Sequence, residues 1–132
     1  MKHPGSVVRV LVVEDQELFR RAITAVLQET GRFDVVGNVD TGEATVAAVD
    51  ALRPDLVLMD VNLPGIDGLE ATRRVRASGL APVVLLLSTY DEEVGRSFLA
   101  ESGAAAYLTK AGFGPDVLEQ AWEQARAGRL DD

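Results

Sequence analysis

Leu56-Val57-Leu58-Met59-Asp60-Val61-Asn62-Leu63-Pro64-Gly65-Ile66-Asp67-Gly68 sets an unbroken apolar run against an acid and then a turn-forming stretch. Such a run, bounded by Pro, Gly, Asn and Asp, has the pattern of a short strand covered on both faces. Asp60 then stands at the carboxyl end of that strand, where ligands and chemistry collect in open parallel α/β sheets. A second run, Val7 to Val13, ends in Glu14 and Asp15. If the two strands are parallel neighbours, their acids converge. At about 4 Å and an effective dielectric of about 20, each like-charged pair costs roughly 4 kcal/mol, which a divalent cation or protonation must offset.

The elements on either side follow one alternation. After the first strand, Leu18, Phe19, Ala22, Ile23, Val26 and Leu27 repeat at helical spacing up to Gly31. Asp34 to Val39 is a β-branched run, and Asp40 and Glu43 stand like a capping box before a helix carrying Ala44, Ala47, Ala48 and Ala51. Leu69 to Ser78 reads as the helix after the Pro64-Gly65 turn. Val83 to Leu87 is the most apolar run and leads to Ser88 and Thr89, ahead of a helix from Glu92 to Glu101 that buries Val94, Phe98 and Leu99. Ala105 to Thr109 is a short strand, and Pro115 opens a last helix with Val117, Leu118, Ala121, Trp122 and Ala125 on its inner stripe, ending at Gly128. Strand-then-helix units joined by short connections predict a parallel sheet with right-handed crossovers and helices on both faces.

Composition narrows the chemistry. With 132 residues the chain suits one domain, divided into a tail at 1–6, the folded unit at 7–128, and a tail or linker start at 129–132. There is no cysteine, so disulfides, thiolate metal sites and cysteine nucleophiles are excluded, and the only histidine is His3 in the first tail. A net charge of −8 disfavours contact with nucleic acid or anionic lipid, and Arg73, Arg74 and Arg76 are spread around a helix as a solvated face. No membrane-spanning run and no signal peptide are read, so a cytoplasmic protein is expected.

Aligned by strand ends, Glu14, Asp15, Asp60, Ser88, Thr89 and Lys110 form a constellation that resembles the receiver domain of two-component response regulators, over about Val8 to Ala127. Val12-Val13-Glu14-Asp15-Gln16, Ser88-Thr89-Tyr90-Asp91-Glu92 and Ala106-Tyr107-Leu108-Thr109-Lys110-Ala111 are most similar to receivers joined to LuxR-type, NarL-like effectors. The resemblance implies a flavodoxin-like (βα)5 fold, a five-stranded parallel sheet in the order 2-1-3-4-5. It implies that Asp60 accepts a phosphoryl group from a sensor histidine kinase, aided by Lys110 and Ser88. Glu14, Asp15, Asp60 and the Asn62 main-chain carbonyl would hold Mg²⁺, or Mn²⁺ in its place, and Ser88 and Tyr107 would form the switch.

The same likeness implies that the face of helix four, strand five and helix five carries the signal, with homodimerisation on activation. DNA contact would be made through an effector domain absent from this chain and not by this domain itself; a stand-alone receiver is the alternative. Three departures from the family pattern stand out: Ala111 follows Lys110 where proline is usual, the acid pair is Glu-Asp rather than Asp-Asp, and the hydroxyl at Ser88 is Ser rather than Thr. Asp15 as an N-cap and Tyr107 as half-buried core remain competing local readings. A phosphohydrolase with an aspartate nucleophile is the main rival function, although Asn62 stands where it wants a second acid. A flavin or nucleotide carrier would need a phosphate cradle where Glu14 and Asp15 stand. Tyr90 is expected at the site entrance.

Overall fold

The computed structural model describes residues 7–130, which leaves the segments 1–6, with His3, and 131–132 outside the described residues. Strands β1 (Val8–Val13), β2 (Phe33–Val39), β3 (Leu56–Asp60), β4 (Val83–Ser88) and β5 (Ala106–Thr109) alternate with helices α1 (Glu17–Thr30), α2 (Thr45–Leu52), α3 (Gly68–Ala77), α4 (Glu92–Ser102) and α5 (Pro115–Leu130). All pairings are parallel, in the order β2-β1-β3-β4-β5, as the resemblance implied. Between β1 and β2 the register slips after Val10: Val10 faces Val35 but Leu11 faces Gly37, so Val36 bulges from the outer strand.

Alternation along the strands sends successive side chains to opposite faces. Val10, Val12, Leu56, Leu58, Leu85 and Leu87 meet Ile23 and Leu27 of α1 and Leu118 and Trp122 of α5. Leu11, Val13, Val57, Met59, Val84 and Leu86 meet Val49 of α2 and Leu69, Ala71 and Val75 of α3, with Phe98 and Leu99 of α4 packed alongside. Each fully buried Leu or Val contributes about 1.5–3 kcal/mol relative to exposure. Trp122 closes its layer with an edge-on contact to Phe33, ring centroids 6.5 Å apart.

Four local expectations need correction. Glu43 does not cap α2: its carboxylate accepts from Ile66 N, and Thr41 Oγ takes the Ala44 N–H instead. Val94 and Val117 are 37% and 40% exposed: α4 buries only Gly95 and Ser102, and α5 gives the core Leu118, Ala121 and Trp122 while Val117 faces solvent. Leu18, 81% exposed at the start of α1, and the exposed Ala22 likewise miss the core. Gly128 does not stop α5, which runs on to Leu130. Its φ is not positive, so the left-handed stop that glycine often supplies is not used here. By contrast α3 and α4 are capped as their sequences allow, by Asp67 accepting from Glu70 N and Asp91 accepting from Val94 N.

Candidate functional site

The strand order places the tips of β1, β3, β4 and β5 side by side, so the polar residues that follow each apolar run share one rim. Asp60 is the last residue of β3 and Ser88 the last of β4; both are buried, as is Glu14. Asp15 is exposed and closes the rim toward solvent. Carboxylate oxygens of Glu14, Asp15 and Asp60 lie within 4.8 Å of one another. Lys110 reaches in from the end of β5, its Nζ 2.8 Å from Glu14 Oε1 and 3.5 Å from Asp60 Oδ2. One ammonium thus faces a cluster of acids, and the imbalance of charge is the site's defining property.

Backbone contacts hold this arrangement. Lys110 N donates to Ser88 O at 2.7 Å, which registers the lysine on β4 although Ala111 follows it. Ala111 lies in an ordinary turn, where Gly112 N donates to Thr109 Oγ1, and no described peptide bond is cis. Glu14 is fixed at both ends: its N–H donates to Val39 O, its carbonyl accepts from Arg20 Nη1, and Oε2 accepts from Gln16 N. Under Asp60, Gly68 N donates to Val61 O, and a Cβ on Gly68 would stand 2.1 Å from the Asp60 carbonyl oxygen. Only glycine fits at that close approach.

Electrostatics follow from the burial. Desolvation raises the Asp60 pKa to about 7, the charge and carboxyl contact of Glu14 add to the rise, and Lys110 pulls in the opposite direction. A buried carboxyl beside another acid holds its proton unless positive charge arrives. The donor set is of hard oxygens, which suits a small divalent cation. Asn62 lies at the mouth, its N–H 3.4 Å from Asp60 Oδ1 and its Nδ2 3.4 Å from Ser88 Oγ. Tyr90 Oη donates to Asn62 Oδ1 at 3.3 Å, which puts this exposed ring over the entrance as expected.

Tyr107 does not point into the site. Its ring lies against Gly95, edge-on to Phe98 at 6.1 Å, and its hydroxyl donates to Tyr90 O at 2.6 Å. Burial raises its pKa, with Asp91 adding to the rise. Asp15 is not the N-cap of α1, for that position belongs to Gln16, whose side chain makes no cap bond.

Two contributors were missed in the sequence. Phe19, read as core, sets its ring face 4.1 Å from Lys110 Nζ, and Arg20 holds the Glu14 carbonyl. Their signal was spacing: four and five residues after Asp15, they return over the tip of β1 after one helical turn.

Residues 10–123 match the response regulator receiver domain family. The chain is 41% identical over 122 residues to the response regulator GacA of Pseudomonas aeruginosa, covering 92% of this chain and 56% of that protein. Among solved structures it is similar to the signal receiver domain of the response regulator NarL from Mycobacterium tuberculosis, with a TM-score of 0.81 and 33% identity over 92% of this chain and 98% of that one. A LuxR-family two-component response regulator from Aurantimonas sp. SI85-9A1 superposes with a TM-score of 0.83 and 29% identity, over 93% and 87% of the two chains. The chain spans about half the length of the curated relatives it matches.

Proposed function

Because this chain belongs to the response regulator receiver domain family, we propose that Asp60 is its phosphoacceptor, taking a phosphoryl group from the phosphohistidine of a sensor histidine kinase. One observation carries this reading: Glu14, Asp15 and Asp60 converge within 4.8 Å, with the Lys110 ammonium 3.5 Å from Asp60. An Asp60 carboxylate oxygen attacks phosphorus, the P–N bond to the donor imidazole breaks, and the product is an aspartyl phosphate. Lys110 is a fixed counter-charge for the added phosphoryl oxygens, and the Ser88 hydroxyl is a donor that turns from Asn62 toward them.

Mg²⁺, with Mn²⁺ as a substitute, would be held by Glu14, Asp15, Asp60 and the Asn62 main-chain carbonyl. When bound it supplies the positive charge that the acid cluster lacks and that the phosphoryl oxygens need. The residues themselves aim Asp60, set the Lys110 ammonium beside it, and shield it from water behind Asn62 and Tyr90.

The added charge, roughly −1.5 to −2 near neutral pH, is the signal. As Ser88 turns and residues 89–91 follow, the Tyr90 carbonyl leaves the Tyr107 hydroxyl, and that ring is released to repack the face of α4, β5 and α5. Residues 7–128 form the phosphoaccepting unit, and homodimerisation accompanies activation. DNA contact would lie in an effector domain outside this chain. The chain's own chemistry is single phosphotransfer and autodephosphorylation in the cytoplasm and not steady turnover. Among the described residues no helix is long and apolar enough to cross a membrane.

Incubation with acetyl phosphate and Mg²⁺ should place one acid-labile phosphate on Asp60 and none in Asp60→Asn. Labelling that survives Asp60→Asn would overturn the assignment. Sustained hydrolysis of small phosphate esters, far beyond one phosphoryl group per chain, would favour the phosphohydrolase reading. For the switch, beryllofluoride with Mg²⁺ should shift the NMR signals of Tyr107 and its neighbours on α4; unchanged signals there would sink it.

A further inference from the structure

Lys110 crosses to the acids on a flexible stem, and the contacts that aim its ammonium come from α1 as well as from the strand tips. The side chain is 11% exposed, with Nζ 2.8 Å from Glu14 and 3.5 Å from Asp60. A third contact is not with an acid. Nζ stands 4.1 Å from the centroid of the Phe19 ring, well within the range of about 6 Å over which a ring face attracts a cation. Phe19 is itself steadied by packing on the core cluster that includes Ile23 and Leu27.

We propose that Phe19 is a positioning residue for phosphotransfer: its ring face holds the Lys110 ammonium over Asp60 through a cation–π contact. The proposal rests on Asp60 being the phosphoacceptor. The physical reason for a ring at this place is that it is neutral. A further carboxylate would hold Lys110 equally well but would repel the incoming phosphoryl group, whereas an aliphatic side chain would fill the space without attracting the ammonium. When Lys110 exchanges a carboxylate oxygen for a phosphoryl oxygen, the ring keeps its grip, because its attraction does not depend on which anion the lysine faces. The low exposure of Lys110 strengthens such a contact, since little water competes for the ammonium. Phe19 thereby supplies, from a helix, orientation that the turn after Lys110 does not.

The test weakens the ring's negative face without changing its shape. Phe19 is replaced by phenylalanines carrying one, two and three ring fluorines, and by Leu and Tyr. The rate of Asp60 phosphorylation by acetyl phosphate is measured at saturating Mg²⁺, together with the Lys110 Hε proton shifts in the metal-free protein. The chain has only two lysines, so these signals are readily identified. The expected result is a stepwise fall in rate with fluorination, reaching about three- to ten-fold for the trifluoro ring and for Phe19→Leu, with Phe19→Tyr near the parent value. Upfield Lys110 Hε shifts should be present in the parent and absent in Phe19→Leu.

A rate that is flat across the fluorinated series would overturn the proposal. So would a loss in Phe19→Leu that the fluorinated rings do not reproduce, since the ring would then only fill space. If the parent protein takes up no phosphate, the phosphoacceptor reading fails instead. The metal-free shifts still decide the ring contact in that case, and an unshifted Lys110 would refute it.

Discussion

The two halves of the sheet are built to different tolerances. Every residue of β3 and β4 is buried, and α3 sinks Gly68, Leu69, Ala71, Thr72 and Val75 beside them. In β5 only Leu108 is buried, and α4 buries only Gly95 and Ser102 while Val94 stays exposed. A reacting carboxylate held beside a counter-charge needs a surrounding that does not yield. A face that must repack on a small input needs the opposite, few apolar contacts and a short path to an alternative arrangement. The chain places rigidity where the chemistry is proposed and looseness where the signal would leave.

The comparison can be broken first at its rigid end. Asp60→Asn should reduce phosphate incorporation to background while leaving the fold intact, measured by phosphate-affinity electrophoresis beside circular dichroism. Loss of fold in that variant would mean that the acid is structural.

Acidity gives the next largest effect. In the metal-free protein the raised Asp60 pKa means that the folded chain keeps its proton to higher pH than the unfolded one. The resulting stabilisation is fully present below about pH 4 and is lost as pH rises through about 7, by up to about 4 kcal/mol. Urea unfolding between these limits should show that fall, Asp60→Asn should remove it, and Mg²⁺ should restore stability at the upper end. A profile that is identical in the variant would assign the slope to other acids.

Glycines sharpen the contrast between the halves. Gly68→Ala would press a Cβ onto the Asp60 carbonyl, and Gly95→Ala would press one onto the Tyr107 ring, each at 2.1 Å. Backbone cannot swing aside but a ring can, so losses of about 2–4 kcal/mol for Gly68→Ala and at most about 1 kcal/mol for Gly95→Ala are expected from urea midpoints. Equal losses would dissolve the distinction. The smallest effect belongs to Tyr90→Ala, which opens the entrance and should quicken loss of phosphate about two- to five-fold, at most about 1 kcal/mol of barrier. An unchanged phosphoryl lifetime would remove Tyr90 from the account.

Much of this was legible because the strands announce their own ends. Runs such as Val83 to Leu87 can sit only in a covered sheet, and the polar residue after each run has to be on the rim; Asp60, Ser88 and Lys110 were found that way. Helical stripes were less informative. The spacing of Val94 and Val117 shows which face they share, but whether another element covers that face depends on packing far away in sequence. Glu43 obeyed a local capping pattern, yet its carboxylate found a better donor in Ile66 N, across from another loop. Phe19 was hidden for the same reason: its significance comes from Lys110, which only folding brings to it.

The bulge at Val36 bears on a different matter, the behaviour of many copies together. A kinked outer strand offers another polypeptide no long flat ladder to extend, and at the opposite margin β5 presents only four residues. Both borders of the sheet are thus poor templates for fibril growth, so crowded solutions of the folded protein should stay free of thioflavin-positive aggregates.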